Sequence, residues 1–164
     1  MRRKEREVTD RSTLESIIKG TFYVSLALHT DNAPYQLPMN FGYENGVIYL
    51  HSATVGEKMN VLHAAGGAVP ASALFVSKAS LLARDTPSAC GSGACGLSTR
   101  YASVVAAGTL SEVTDSEERL RGLRCLVVQA GGGDRPIDEA NLQAIAVLKL
   151  EVATMTGKIN DPAE

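Results

Sequence analysis

Asn45-Gly46 fixes the geometry of a stretch, Pro34 to Leu62, that reads PYQLPMNFGYENGVIYLHSATVGEKMNVL. Asn-Gly suits the two positive-φ positions of a type I′ turn, the tight connection of an antiparallel hairpin. The strand entering this region, Tyr35 to Phe41, puts Tyr35, Leu37, Met39 and Phe41 on one face and Gln36, Pro38 and Asn40 on the other. Pro38 has no N–H for a ladder, so the strand is expected at a sheet edge or at a bulge. The strand leaving the turn, Val47 to His51, delivers His51 and Ser52 to a loop, and Thr54-x-x-Glu57 then reads as a capping box. That box predicts a helix from Thr54 with Lys58 in its first turn. A hydroxyl, free backbone N–H groups and a lysine at one helix start suit a phosphate.

The same box recurs at Ser12-x-x-Glu15 and Thr114-x-x-Glu117. It predicts one short helix that carries Ile17 and Ile18 and stops at Gly20. The other carries Leu120, Leu123 and Val127. Phe22, Val24, Leu26 and Leu28 alternate with polar or small residues, the period of a half-buried strand, and Asp31-Asn32 marks the turn after it. The helix from Thr54 turns Met59, Leu62 and Ala65 to one side before Gly66-Gly67. Ala73 to Ala83, Tyr101 to Val113 and Ile145 to Thr154 read as further strands. Asp85 to Gly96 and Ala130 to Asp134 are loops by their Gly, Ser and Pro content. Strands with three interspersed helices and no βαβ repeat predict an antiparallel α+β barrel in a single domain, residues 1–164.

Several function classes lose their footing. A net charge of −2 offers no electrostatic case for nucleic acid or a membrane surface. The basic MRRKERE start is followed by no apolar segment, and no apolar run approaches the ~18 residues of a membrane span, so a cytoplasmic protein is expected. Cys90, Cys95 and Cys125 cannot all pair. Cys90 and Cys95 read as reduced thiols in a glycine-rich loop rather than as a redox pair. His29, His51 and His63 form no paired metal motif, so no metal is expected. No P-loop, nucleophile elbow or dinucleotide fingerprint follows a strand.

Taken together, LPMNFGYENGVIYLHSATVGEK, then Tyr101-Ala-Ser-Val-Val with Gly108, then Met155-Thr-Gly157-Lys158 resemble the pyridoxamine 5′-phosphate oxidase-like flavoproteins. Within them the chain is most similar to the nitroimidazole-resistance (Nim-type) branch, whose likeness includes the opening MRRKEREVTD. The resemblance implies a mainly β, α+β split barrel of antiparallel Greek-key type with peripheral helices. It also implies a homodimer with FMN in a cleft between the subunits. Carried over, Pro38, Met39 and Asn40 would line the flavin ring. His51 and Ser52 would lie near the ribityl chain and phosphate, with Lys58 as counter-ion, and Tyr101, Ser103 and Val104 would complete the pocket. His51 is the candidate proton donor of a reductase acting on a small oxidised acceptor such as a nitroaromatic. The alternative is the same barrel as a non-catalytic flavin or haem carrier. The vitamin oxidases end in a segment bearing tryptophan and arginine, whereas this chain has no Trp and ends INDPAE. The departures at Gly66 to Arg84 and Ala130 to Asp138 fall where a substrate pocket would be shaped.

Overall fold

The computed structural model describes residues 3–30, 33–83, 97–138 and 144–161. A 3₁₀ turn at Lys4–Arg6 and the short strand β1 (Glu7–Val8) lead into α1 (Arg11–Lys19). Then follow β2 (Val24–Leu28), β3 (Tyr35–Met39), β4 (Phe41–Glu44), β5 (Val47–Ala53), α2 (Glu57–Ala64), β6 (Ala68–Ala83), β7 (Leu97–Glu112), α3 (Ser116–Gln129) and β8 (Ile145–Asn160). Every strand pairing is antiparallel, in the order β3-β2-β6-β7-β8-β5-β4, and β1 adds to β8. The outermost strands β3 and β4 are separated by Asn40 alone. Two consecutive Cα–Cα steps span at most about 7 Å, so the sheet must curl until its two edges meet. The result is the split β-barrel expected from the sequence.

Asn45 and Gly46 have φ of 50° and 89°, as a type I′ turn requires, and Glu44 pairs with Val47 across it. Pro38 lies on edge strand β3, opposite Ser25. Three helix starts differ from the sequence expectation. Asp10 caps α1 by accepting from the Thr13 N–H at 2.9 Å, and Asp115 caps α3 by accepting from the Glu118 N–H at 2.8 Å. The carboxylate one or two places from the expected residue takes the role, because it also accepts hydrogen bonds from neighbouring hydroxyls, as Asp10 does from Ser12 and Thr13. α2 begins at Glu57, not Thr54, with Gly56 at φ 113° as N-cap and no side-chain cap. The strand expected from Ala73 starts at Ala68, and the last strand runs to Asn160 rather than ending at Thr154. The Asp31-Asn32 turn and the whole Asp85–Gly96 loop, with both Cys90 and Cys95, lie outside the described residues.

Inside the barrel Leu26, Ile48, Leu50, Phe75, Val104 and Leu148 are among the fully buried side chains, and α1 adds Leu14, Ile17 and Ile18. Phe41 and Phe75 meet edge-to-face at 4.9 Å although β4 and β6 are not sheet neighbours. A second, smaller core lies outside the barrel wall, where Leu123 and Leu126 of α3 pack on Tyr49 of β5 and Val147 of β8. α3 fits closely because glycines lie on both sides of its contact with the sheet: a Cβ at Gly42 would sit 2.4 Å from the Cys125 carbonyl carbon. Likewise, a Cβ on Gly122 would meet the Tyr49 ring at 2.7 Å. Polar ties hold the helix in register. Lys149 Nζ donates to both Glu118 carboxylate oxygens (3.2 and 3.1 Å), and Arg119 Nη2 donates to the Ile145 carbonyl at 2.9 Å.

Candidate functional site

Strand β5 is buried on both faces, and alternation sends neighbouring side chains in opposite directions. Ile48 and Leu50 enter the barrel core, and Tyr49 faces α3. Ser52 follows the barrel side, is 6% exposed, and its hydroxyl donates to the Ala53 carbonyl at 2.8 Å. His51 follows the α3 side and is exposed. There it borders a cleft of about 460 Å³ together with Asn40 and apolar side chains from α3 and the segment after it, including Leu123, Leu126, Val127 and Ile137. The β4–β5 hairpin explains the pairing of the two polar groups: Phe41 opposes Leu50, so Asn40 and His51 are the next residues on each arm.

Pro38, Met39 and Asn40 do not act as one unit. Met39 packs on the barrel core, Pro38 is exposed on edge strand β3, and Asn40 reaches the cleft. Val104 is fully buried, so its side chain faces the barrel core and only its backbone is left for a pocket. Tyr101 and Ser103 are half-buried on the opposite face of β7 from Val104. Lys158 lies across the ladder from Ser103, and its Nζ stands 5.6 Å from the centre of the Tyr101 ring. A hydrogen bond from Lys158, with a smaller contribution from Arg6, holds the Tyr101 phenol below its ordinary value.

The chain thus presents its expected site residues in two groups. His51 opposes Val147 near the start of β8, whereas Ser103 opposes Lys158 near its end. Those two positions of β8 are on the order of 35 Å apart along the strand at about 3.3 Å per residue, less whatever the bulge at Gly108 and the curl remove. Lys58 belongs to the first end. It sits in the first turn of α2, half-buried, and no carboxylate pairs with it among the described residues. Burial alone pushes its pKa below the ordinary 10.5. An uncapped helix start beside an unpaired, partly desolvated ammonium fits a phosphate, because both lack the anion that would satisfy them.

The sequence gives no pocket role to the cleft-lining residues of α3, whereas Ala130 and residues 136–138 fall in the Ala130–Asp138 stretch expected to shape a substrate pocket. Leu123 and Val127 sit at helical spacing and read there only as core positions. Lys158 was present in the sequence pattern as part of Met155-Thr-Gly157-Lys158, without an assigned role. Among the described residues no three His, Cys, Asp or Glu side chains gather as metal ligands, and no helix is long and apolar enough to cross a membrane.

Residues 10–159 match the pyridoxamine 5′-phosphate oxidase family. The chain belongs to this family. Among solved structures it is similar to a candidate 5-nitroimidazole antibiotic resistance protein from Bacteroides thetaiotaomicron, at 27% identity and a TM-score of 0.76, covering 93% of this chain and 86% of that one. The likeness to the Nim-type branch is therefore borne out. The fold also matches the flavocytochrome Anf3 from Azotobacter vinelandii (TM-score 0.80, 19% identity, 99% of this chain and 72% of that one). An FAD and haem binding protein from Mycobacterium smegmatis is similar in the same way (TM-score 0.78, 21% identity, 96% and 74%). A search of curated proteins finds no match.

The depressed pKa of Lys58 carries a stability consequence. Below its folded-state pKa the folded protein bears the full cost of a buried charge. Between that pKa and 10.5 the unfolded chain binds more protons, so this contribution improves as pH rises through the window. Lys58→Met, which keeps the apolar stem, is expected to raise the melting temperature of the ligand-free protein at pH 7 and to remove that alkaline rise. Calorimetric melting from pH 7 to 10 checks both; a lower melting temperature would make Lys58 a structural residue.

Proposed function

We propose that this protein is a cytoplasmic homodimeric flavoprotein that binds FMN and passes electrons to a small oxidised acceptor such as a nitroaromatic. Lys58 is the observation that carries the proposal, since an unpaired ammonium at an uncapped helix start is costly unless an anion completes it. Flavin, once bound, supplies the two-electron chemistry. Lys58 and the α2 N–H groups would hold its phosphate, and Ser52 would brace the loop that leads into α2. Asn40 and His51 would face the reacting end, Asn40 orienting by hydrogen bond and His51 delivering a proton to the acceptor. Tyr101 and Ser103 would come from the second subunit, because a single chain holds them near the far end of β8 from His51, whereas Pro38, two residues before Asn40, would come from the same chain as His51. A second copy is also what the outer sheet face suits. There Leu74 and Val105, paired across the ladder, and nearby Val76 are 37%, 46% and 46% exposed, uncovered by the described residues. The flavin- and haem-binding proteins that share the fold support a carrier as the second reading, with His51 as the candidate haem ligand. A Soret band in the purified protein would favour it.

Three outcomes test the proposal. A charge-assisted hydrogen bond is worth ~1.5–3 kcal/mol, so Lys58→Met should weaken FMN roughly ten- to a hundredfold and riboflavin, which has no phosphate, far less. Fluorescence titration of both ligands decides, and equal losses would remove the phosphate role. Light scattering of the flavin-loaded protein should return the mass of a dimer; a flavin-loaded monomer would refute a shared site. His51→Ala should keep its flavin and slow reoxidation by a nitroaromatic by about 10²–10⁴, the usual worth of general acid help. An unchanged stopped-flow rate per bound flavin would leave the carrier reading in place.

A further inference from the structure

The cleft beside His51 differs in character from the Lys58 end. No lysine or arginine is among the described residues that line it, and its ionisable groups are His51 and Asp138. Most of its wall is apolar: Leu123, Leu126 and Val127 from α3, Ile137 from the segment after it, and Ile145 at the start of β8. A phosphate or carboxylate placed there would lose its water and meet a carboxylate instead of a cation. At about 460 Å³ the cleft falls at the small end of the ~300–1,000 Å³ typical of small-molecule sites, too little for a dinucleotide. Apart from Asp138 in the segment after α3, the polar groups that line it, Asn40 and His51, stand together on its β4–β5 side, so a molecule held between them and the apolar side chains of α3 has a polar edge and an apolar body.

We propose that this cleft is a binding site for an uncharged, planar, one- or two-ring aromatic compound, with Leu126, Val127 and Ile137 setting its selectivity against anions. The proposal rests on the flavin reading for what the compound does there, as the acceptor, but not for its binding. Asn40 and His51 hydrogen-bond its carbonyl or nitro oxygens, and the α3 side chains cover its faces. Ala130 closes α3 as an exposed C-cap residue with φ −77°, a conformation open to any residue, and it also borders the cleft. A tryptophan there fills the cleft without entering either core.

Calorimetric titration of the purified protein with menadione, and with the anionic 1,2-naphthoquinone-4-sulfonate, tests this. The wild type should prefer menadione by roughly tenfold or more. Ala130→Trp should lose menadione affinity by a similar factor while its flavin content, read from the absorption spectrum, stays at the wild-type level. Ile137→Arg places a cation on the wall and should shift the preference toward the sulfonate by about tenfold. Equal affinity for the two quinones, or no menadione binding, overturns the proposal. So does an Ala130→Trp protein that keeps menadione but loses flavin, which would make the cleft the cofactor's own. A protein without flavin that still binds menadione in this pattern would refute the flavin reading and leave the cleft assignment standing.

Discussion

Asn40 joins the two outermost strands of the sheet, and most of the architecture follows from that single-residue link. A seven-strand path laid flat would separate its edges by roughly 29 Å at about 4.8 Å per strand, yet Met39 and Phe41 are two residues apart. The sheet has to roll, and rolling creates the enclosed face that buries Leu26, Leu50, Phe75 and Leu148. Phe41 meeting Phe75 across the interior is the direct sign that opposite walls touch; such an aromatic pair adds about 0.5–1.5 kcal/mol beyond its buried area. The same corner decides where polar chemistry is possible. Asn40 cannot continue either strand, so its side chain is left at the mouth of the cleft beside His51.

The hairpin was legible in the sequence because Asn45-Gly46 is a local signal with one good solution, and the alternation in β2 and the edge position of Pro38 are equally local. The helix starts were less legible. Each Ser/Thr-x-x-Glu pattern sat next to a stronger carboxylate or a positive-φ glycine, and the chain used Asp10, Asp115 and Gly56 instead. The length of β6 and of β8 was hidden as well. The β6–β7 ladder, which begins with Ala68 opposite Ser111, and the bulge opposite Gly108, where a Cβ would meet the Glu151 carbonyl oxygen, depend on partners distant in sequence. Of the candidate site, His51, Asn40 and Lys58 emerged from the sequence and its family resemblance. The apolar wall from α3 did not, because an amphipathic helix does not announce that its buried stripe is only partly covered.

Two adjacent residues, His51 and Ser52, show how a strand divides labour. A period of two sends one into the cleft and the other into the barrel, so a single backbone segment serves both binding and packing. The electrostatics divide in the same way. Among the described residues, positive charge without a partner sits at Lys58, and a cationic pair, Lys158 and Arg6, gathers around Tyr101 at the other end of β8. The cleft between α3 and β5 has neither. Separate compartments of this kind let a charged ligand end and an uncharged one be selected independently.

Strand β8 pairs with β1, β5 and β7, more strands than any other element, and it is the last of them in chain order. A ribosome therefore releases both arms of the barrel wall before the strand that bridges them. Until residues 145–160 emerge, the β4–β5 and β6–β7 hairpins form locally but expose open edges and unsealed apolar faces. Closure then depends on contacts far apart in sequence, which slows the final step relative to the hairpins. A chain that stalls before β8 is out would carry nearly all of its apolar surface but lack the strand that joins the two arms of the wall, so sticking between nascent copies is the hazard built into this order of synthesis.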